Sequence, residues 1–150
     1  MKFYIGYDHN GTKLAYEIME FLVEEGHEVN EPYESQEGDD YPDIAKAVCE
    51  QLKEDKNARA ILICGTGIGM CMAANRYKFV RAVLAQSEED AYFSRRHEDS
   101  NVLVLAAGYT DGNKTVKVCR RKAIRIVSTF ISSGFEGGRH LRRVQKLENI

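Results

Sequence analysis

The sequence predicts an α/β fold of the Rossmann-like type: a parallel five-stranded sheet with helices on both faces and a helical extension at the C-terminus. Two observations predict it. Short apolar runs of strand length alternate with longer segments of helical period, the pattern of parallel strands joined by right-handed crossovers. In addition, Asp8, His9, Cys64 and Thr66 all fall at the carboxyl ends of predicted strands, which is where open parallel sheets bind their ligands.

Phe3 to Tyr7 is the first buried strand, and Asp8, His9, Asn10 and Gly11 break it. Leu14, Ile18, Phe21 and Leu22 then share one helical face, and Gly26 suits the C-terminal cap of that helix. His27 to Asn30 is a short second strand, EPYESQEGDD a loop, and Pro42 the first turn of a helix whose inner face carries Ile44, Ala47, Val48 and Leu52. The third strand, Ala60 to Ile63, leads into a glycine turn and a helix through Asn75. A strand at Val80 to Ala85 and a helix from Ser87 to about Arg96 follow, then a strand at Val102 to Ala106 and a helix from about Asn113 to Ser132. The final stretch, GGRHLRRVQKLENI, reads as helical after its two glycines. No internal repeat, low-complexity segment or linker interrupts the chain, so residues 1–150 read as one domain.

A chain of 150 residues can bury roughly two-thirds of the surface that its unfolded form exposes, and it needs no covalent staples to fold. Hydrophobic residues at 43% and charged residues at 29% are ordinary for a globular protein, and a net charge of -2 offers no global attraction to nucleic acid. Cys49, Cys64, Cys71 and Cys119 form no CxxC pair and meet no histidine at zinc-finger spacing, so reduced thiols are expected, with no metal site. The N-terminus reaches polar residues too early for a signal-peptide core, and no apolar run is long enough to span a membrane. These features lead us to expect a cytoplasmic protein with neither nucleic acid nor membrane as partner.

The turn Gly65-Thr66-Gly67-Ile68-Gly69 can aim backbone amides at an oxyanion. It lacks the lysine of a P-loop and does not complete GxGxxG, so it can equally serve only to join strand and helix. Most free cysteines are small apolar fillers, which is the reading for Cys49, Cys71 and Cys119; Met70 and Met72 are read as packing too. Cys64 differs, because it adjoins amides able to favour a thiolate and so can act as a base or nucleophile. Asp8 can cap the helix that starts near Gly11. Taken alone, His9 and His97 read as exposed polar residues. Arg139 and Arg143, four apart, share one helical side and can grip a phosphate, whereas the run KVCRRKAIR reads as solvated surface.

Five motifs in order then resemble one family: DH at position 8, DYP at 40–42, ICGTGIGM followed by AAN, SRRHEDSNV, and EGGRHLRRV. They resemble the ribose-5-phosphate isomerase B and galactose-6-phosphate isomerase family, over almost the whole chain. The resemblance implies an aldose-ketose isomerase that uses no cofactor or metal, takes a small-molecule sugar phosphate, and works as a homodimer or homotetramer with active sites between subunits. It implies that Cys64 is the base that moves a proton between C1 and C2, since the branch using Glu instead carries it where this chain has Met70. His97 then assists ring opening, and Asp8 binds a substrate hydroxyl and handles protons. His9, Arg139 and Arg143 lie near the phosphate, Tyr41 lines the pocket, and Asn75 supports it. Gly65, Gly67, Ile68 and Gly69 supply amides that stabilise the enediolate together with the Thr66 hydroxyl.

Three positions depart from the family pattern. Glu98 replaces a substrate-binding Asn and puts a charge beside His97; Tyr109, in AAGYTDG, stands where a phosphate-binding Arg is typical; and Cys71 replaces a frequent Ser. Ribose 5-phosphate, a tetrose phosphate and a hexose phosphate therefore all stand as substrates at this level. A non-catalytic sugar-phosphate binder retaining the pocket is the alternative. A flavodoxin-like nucleotide or flavin binder fits the fold class, but it explains none of the His, Cys and Arg matches.

Overall fold

A computed structural model describes residues 1–150. In chain order the elements are β1 (Lys2–Tyr7), α1 (Thr12–Glu24), β2 (Glu28–Val29), β3 (Tyr33–Glu34), α2 (Tyr41–Glu54), β4 (Arg59–Cys64) and α3 (Ile68–Ala74), followed by β5 (Ala82–Leu84), α4 (Glu88–Glu98), β6 (Val102–Ala106), β7 (Tyr109–Asp111), β8 (Lys114–Val116), α5 (Arg120–Ser132) and α6 (Arg139–Leu147). The main sheet has the order β2-β1-β4-β6-β5 and is parallel throughout. β3 also pairs with β1, at Gly6 and Tyr7, while β2 pairs at Lys2 and Phe3, so the two together make one interrupted edge strand. Pro32 sits in the interruption, where its missing N–H does no harm to the ladder.

Alternation along the strands sorts the core into two layers. Phe3, Ile5, Tyr7, Ile61, Ile63, Leu103 and Leu105 face α1 and α5, where they meet Leu14, Ile18, Leu22, Ile126 and Phe130. Tyr4, Leu62, Cys64, Val102 and Val104 face α2 and α3, where they meet Ile44, Val48, Leu52 and Met70. α2 lies so close to β1 that a Cβ on Gly6 would come within 2.6 Å of Val48 Cγ2. At its start, Asp40 N–H donates to the Asp43 carboxylate at 3.0 Å, which fixes the first turn around Pro42.

The structure departs from the expectations in the 109–119 segment, at Met72, and at β3, whose pairing with β1 falls inside the stretch EPYESQEGDD expected to be a loop. The predicted helix at Asn113 begins only at Arg120, because residues 109–116 form an antiparallel hairpin that turns at Gly112 with φ +58°. That shift places Cys119 at the N-cap of α5, exposed, instead of in the small apolar filler position expected for it. Met72 is also exposed at 68%, while Met70 is fully buried.

Candidate functional site

From β1 the chain crosses outward to β2 and β3, whereas from β4 it crosses the other way, to β5 and β6. The crevice between the carboxyl ends of β1 and β4 is therefore the topological switch point, the expected ligand position in such sheets. Asp8 and Cys64 stand on its two sides. Asp8 N–H donates to Ile63 O at 3.1 Å, and its Oδ1 accepts the N–H groups of Asn10 (3.0 Å) and Gly11 (3.1 Å). The carboxylate thus shapes the 8–11 turn that leads into α1. It does not cap the helix as expected, because α1 starts at Thr12 with Gly11 as its N-cap and no side chain bonded to its first amides. Oδ2 has only the long 3.4 Å contact from Asn10 Nδ2. Gly11 lets this turn close onto β4, since a Cβ there would lie 2.9 Å from Ile63 Cγ2. His9 is exposed on the same turn.

Cys64 is 5% exposed and opens the glycine turn. Gly67 holds φ at +77°, and a Cβ there would collide with Leu84 Cδ1, so neither the conformation nor the space admits a side chain. Thr66 Oγ1 accepts the Ile68 N–H at 3.3 Å, bracing the turn. Burial pushes the Cys64 thiol above its ordinary value of 9.0; the Gly67, Met70 and Thr66 amides pull it down, and the Asp8 charge pushes it further up. The amides do favour thiolate as expected, but burial outweighs them and the net direction is upward. Two tyrosine rings flank the turn. Tyr41, from the first turn of α2, lies over Gly69, and Tyr109, from β7, lies over Gly65.

A second group gathers where α4 meets α6. His97 stacks on His140 with ring centroids 4.2 Å apart and planes at 6°, and Phe93 packs beside it at 5.1 Å. Arg139 Nε approaches His140 Nε2 at 3.5 Å, and Arg143 follows one turn later on α6. Burial lowers the His140 pKa, helped by His97, Arg139 and Arg143 and opposed by Glu136. Ligand atoms of His97, Glu136 and His140 come within 4.8 Å of one another, a set that could in principle hold a metal ion. However, Glu136 is paired with Arg96 at 3.1 Å, and Arg139 and Arg143 add positive charge, so the surroundings suit an anion rather than a cation. His140 and Glu136 were not singled out from sequence; the only cue for His140 was its place between the arginines of EGGRHLRRV.

Within one chain the two groups lie at opposite ends of the sheet. Cys64 closes β4 at its carboxyl end, whereas α4 runs back from the carboxyl end of β5 and delivers His97 beside the start of β6, where Ala60 N–H meets Asn101 O at 3.0 Å. A strand the length of β6 spans about 16 Å. Glu98 is exposed at the same end and lines a cavity of about 600 Å³ with Asn75, Arg76 and Arg81. Asn75 is held at both ends of its amide: Nδ2 donates to Ala82 O at 2.9 Å and Oδ1 accepts Ala82 N–H at 2.9 Å. It ties the end of α3 to β5.

The chain matches the family described as Ribose/Galactose Isomerase along residues 3–147. It belongs to that ribose/galactose isomerase family. Among its relatives, the Escherichia coli ribose-5-phosphate isomerase B is 37% identical over 150 residues, covering 99% of this chain and 95% of that protein. The Thermotoga maritima ribose 5-phosphate isomerase superposes with a TM-score of 0.87 at 36% identity, covering 99% of this chain and 98% of the other. The Mycoplasma genitalium ribose-5-phosphate isomerase B, solved with bound ribulose-5-phosphate, gives a TM-score of 0.85 at 37% identity, covering 99% and 94%. The fold expected from sequence is thus the fold of this isomerase family, including the α6 extension.

The thiols of this isomerase-family chain should be separable by reactivity. Amides of Lys122 and Arg121 at the start of α5, with the Arg125 and Arg121 charges, hold exposed Cys119 below the ordinary thiol value, while burial raises Cys64 and pushes Cys49 up to about 12. In a timed iodoacetamide reaction at pH 8, read by peptide mass spectrometry, Cys119 is expected to label first and Cys49 last. Cys64 labelling ahead of Cys119 would contradict the burial argument.

Proposed function

We propose that this protein interconverts an aldose phosphate and its ketose phosphate, with ribose 5-phosphate and ribulose 5-phosphate as the leading pair and cysteine as the base. The observation that carries this reading is Cys64, buried at the switch-point crevice with the Thr66, Gly67 and Met70 amides acting on its sulfur and Asp8 across from it. The names borne by its relatives, and the ribulose-5-phosphate in one of them, support the substrate class.

In this reading Arg139, Arg143 and His9 take the phosphate through charge-assisted hydrogen bonds. His97 assists opening of the sugar ring, with Tyr41, Asn75 and Glu98 lining or supporting the pocket. The Cys64 thiolate removes the C2 proton, the C2–H electrons become the C1–C2 double bond, and the carbonyl oxygen becomes an enediolate oxygen. Amides of residues 65 to 69 and the Thr66 hydroxyl stabilise that charge more than they stabilise the neutral sugar. Asp8 passes a proton between the O1 and O2 oxygens, and Cys64 returns its proton to C1. No electrons leave the substrate, so no cofactor is required.

The arrangement makes sense with two subunits. Because His97, Arg139 and Arg143 stand at the far end of the sheet from Cys64, a complete site needs the Cys64 group of one chain and the His97 group of another, in a homodimer or homotetramer. Ile68 and Met72 on α3 and Phe93 on α4 are 57%, 68% and 49% exposed, apolar surface suited to such a contact. No helix is long and apolar enough to cross a membrane, and the four free cysteines fit a reducing, cytoplasmic setting.

The direct test is incubation in heavy water with four-, five- and six-carbon aldose and ketose phosphates, followed by NMR. Interconversion of one pair with deuterium entering at the exchanging carbon is expected. Saturable binding with no exchange into any sugar would replace the isomerase reading with that of a binding protein.

A further inference from the structure

The amide turn is bracketed by two glycines, and each lies beneath an aromatic ring. A Cβ on Gly65 would sit 3.0 Å from Tyr109 Cβ and 3.1 Å from its Cδ2; one on Gly69 would sit 2.6 Å from Tyr41 Cζ and 2.8 Å from its Cε2. A side chain at either position would push the tyrosine away, by a few tenths of an ångström at Gly65 and by more at Gly69. Neither ring is tucked into the core, Tyr41 being 46% and Tyr109 47% exposed. The two come from unrelated parts of the fold, α2 and the β7–β8 hairpin.

The backbone places Tyr109 deliberately. Ala107 N–H donates to Cys64 O at 2.8 Å and Gly108 N–H to Gly65 O at 3.0 Å, so the pairing of β6 with β4 continues beyond the sheet. Gly108, at φ +106°, then turns the chain, and the ring is carried across the amide turn one residue from Cys64. The hairpin is tied at its middle by the Thr110–Thr115 hydroxyl contact at 3.1 Å. The Tyr41 and Tyr109 hydroxyls make no hydrogen bond within the chain, and both side chains are about half exposed, so both can meet a ligand.

We infer that Tyr109 is a specificity-determining residue: with Tyr41 it walls a slot over the Gly65–Gly69 amides, and the slot limits the carbon skeleton of the bound sugar phosphate. This rests on the aldose-ketose reading above. The amides hold the reacting oxygens, and the rest of the sugar must leave the turn between the two rings. An aromatic face packs against the C–H face of a sugar and carries no net charge, so Tyr109 reads the length and shape of the carbon chain, while the phosphate charge is read by the arginines on α6.

The test combines Tyr109→Ala, Tyr109→Phe, Gly65→Ala and the Gly65→Ala/Tyr109→Ala double variant in the full-length protein. For each, kcat/KM and, separately, the dissociation constant by NMR titration are measured for four-, five- and six-carbon aldose phosphates and for inorganic phosphate. Tyr109→Ala is expected to shift the preference toward the longer sugar by about tenfold, the scale of one methylene's discrimination in a shaped pocket, with inorganic phosphate affinity unchanged. Tyr109→Phe, which keeps the ring, should keep the wild-type ratio. Gly65→Ala should weaken sugar binding by driving a methyl into the ring, and Tyr109→Ala in the same chain should recover part of that loss. Equal loss for every sugar and for inorganic phosphate, or no recovery in the double variant, would overturn the wall assignment. Binding preferences that depend on Tyr109 without any turnover would keep the wall and discard the isomerase reading.

Discussion

Two crippled proteins should make a working one. Cys64→Ala and a His97→Ala/Arg139→Ala double variant are each expected to be nearly inactive as pure proteins, yet their mixture, unfolded and refolded together at equal amounts, should recover about a quarter of wild-type activity. The arithmetic follows from symmetry. Random pairing makes about half of the dimers hybrids, and a hybrid whose two sites each draw on both chains has one site with all damage and one with none. The geometry asks for this outcome, because β4 presents Cys64 at its carboxyl end while α4 returns His97 to the start of β6. A site built within one chain would leave the mixture at the average of its parents. Assay of the refolded mixture, with each parent refolded alone as control, decides between the two.

The strand-turn-helix units were legible in the sequence because each strand is a compact apolar run and each helix repeats its apolar residues with the right period. The 109–116 hairpin was not. Its strands are three residues each and exposed throughout, so no apolar alternation marks them, and the basic helix that follows has a pattern that runs on backward into them. The Asp111-Gly112 pair was the usable signal. β3 was illegible for a different reason: two residues pair there because the edge of β1 is available, not because of their own pattern. In the site, Asp8, Cys64 and the glycine turn were readable as strand ends. The stacking of His97 on His140 depends on how α6 packs against α4, which no local pattern encodes. The direction of the Cys64 pKa was likewise out of reach, since it is a contest between nearby amides, visible in GTGIG, and burial beneath α2 and α3, which only the fold supplies.

That contest gives the second large effect. Cys64→Ala is expected to cut kcat by about 10³-fold, inside the roughly 10²–10⁴-fold range that a positioned general base contributes. The fold should survive, because removing one sulfur from the α2–α3 layer leaves its aliphatic packing in place, and the thermal midpoint should fall by only a few degrees, about what 1 kcal/mol does in a domain of this size. Cys64→Ser should be equally inactive, since a hydroxyl is a far weaker acid than a thiol and its oxygen anion is inaccessible. In the wild type the sign of the pH dependence follows from burial. With the thiol above its ordinary 9.0, the thiolate is the minor form at neutral pH, and kcat/KM should climb by close to tenfold per unit between about pH 7 and 8.5. His140 is held low and is neutral across that window, so it adds no opposing limb. A flat profile with an inactive Ala variant would mean that Cys64 is needed in place but does not titrate as the base. An Ala variant within tenfold of wild type would transfer the proton abstraction to another group, and Asp8, whose Oδ2 has only a long contact, is the residue next in reach of the crevice.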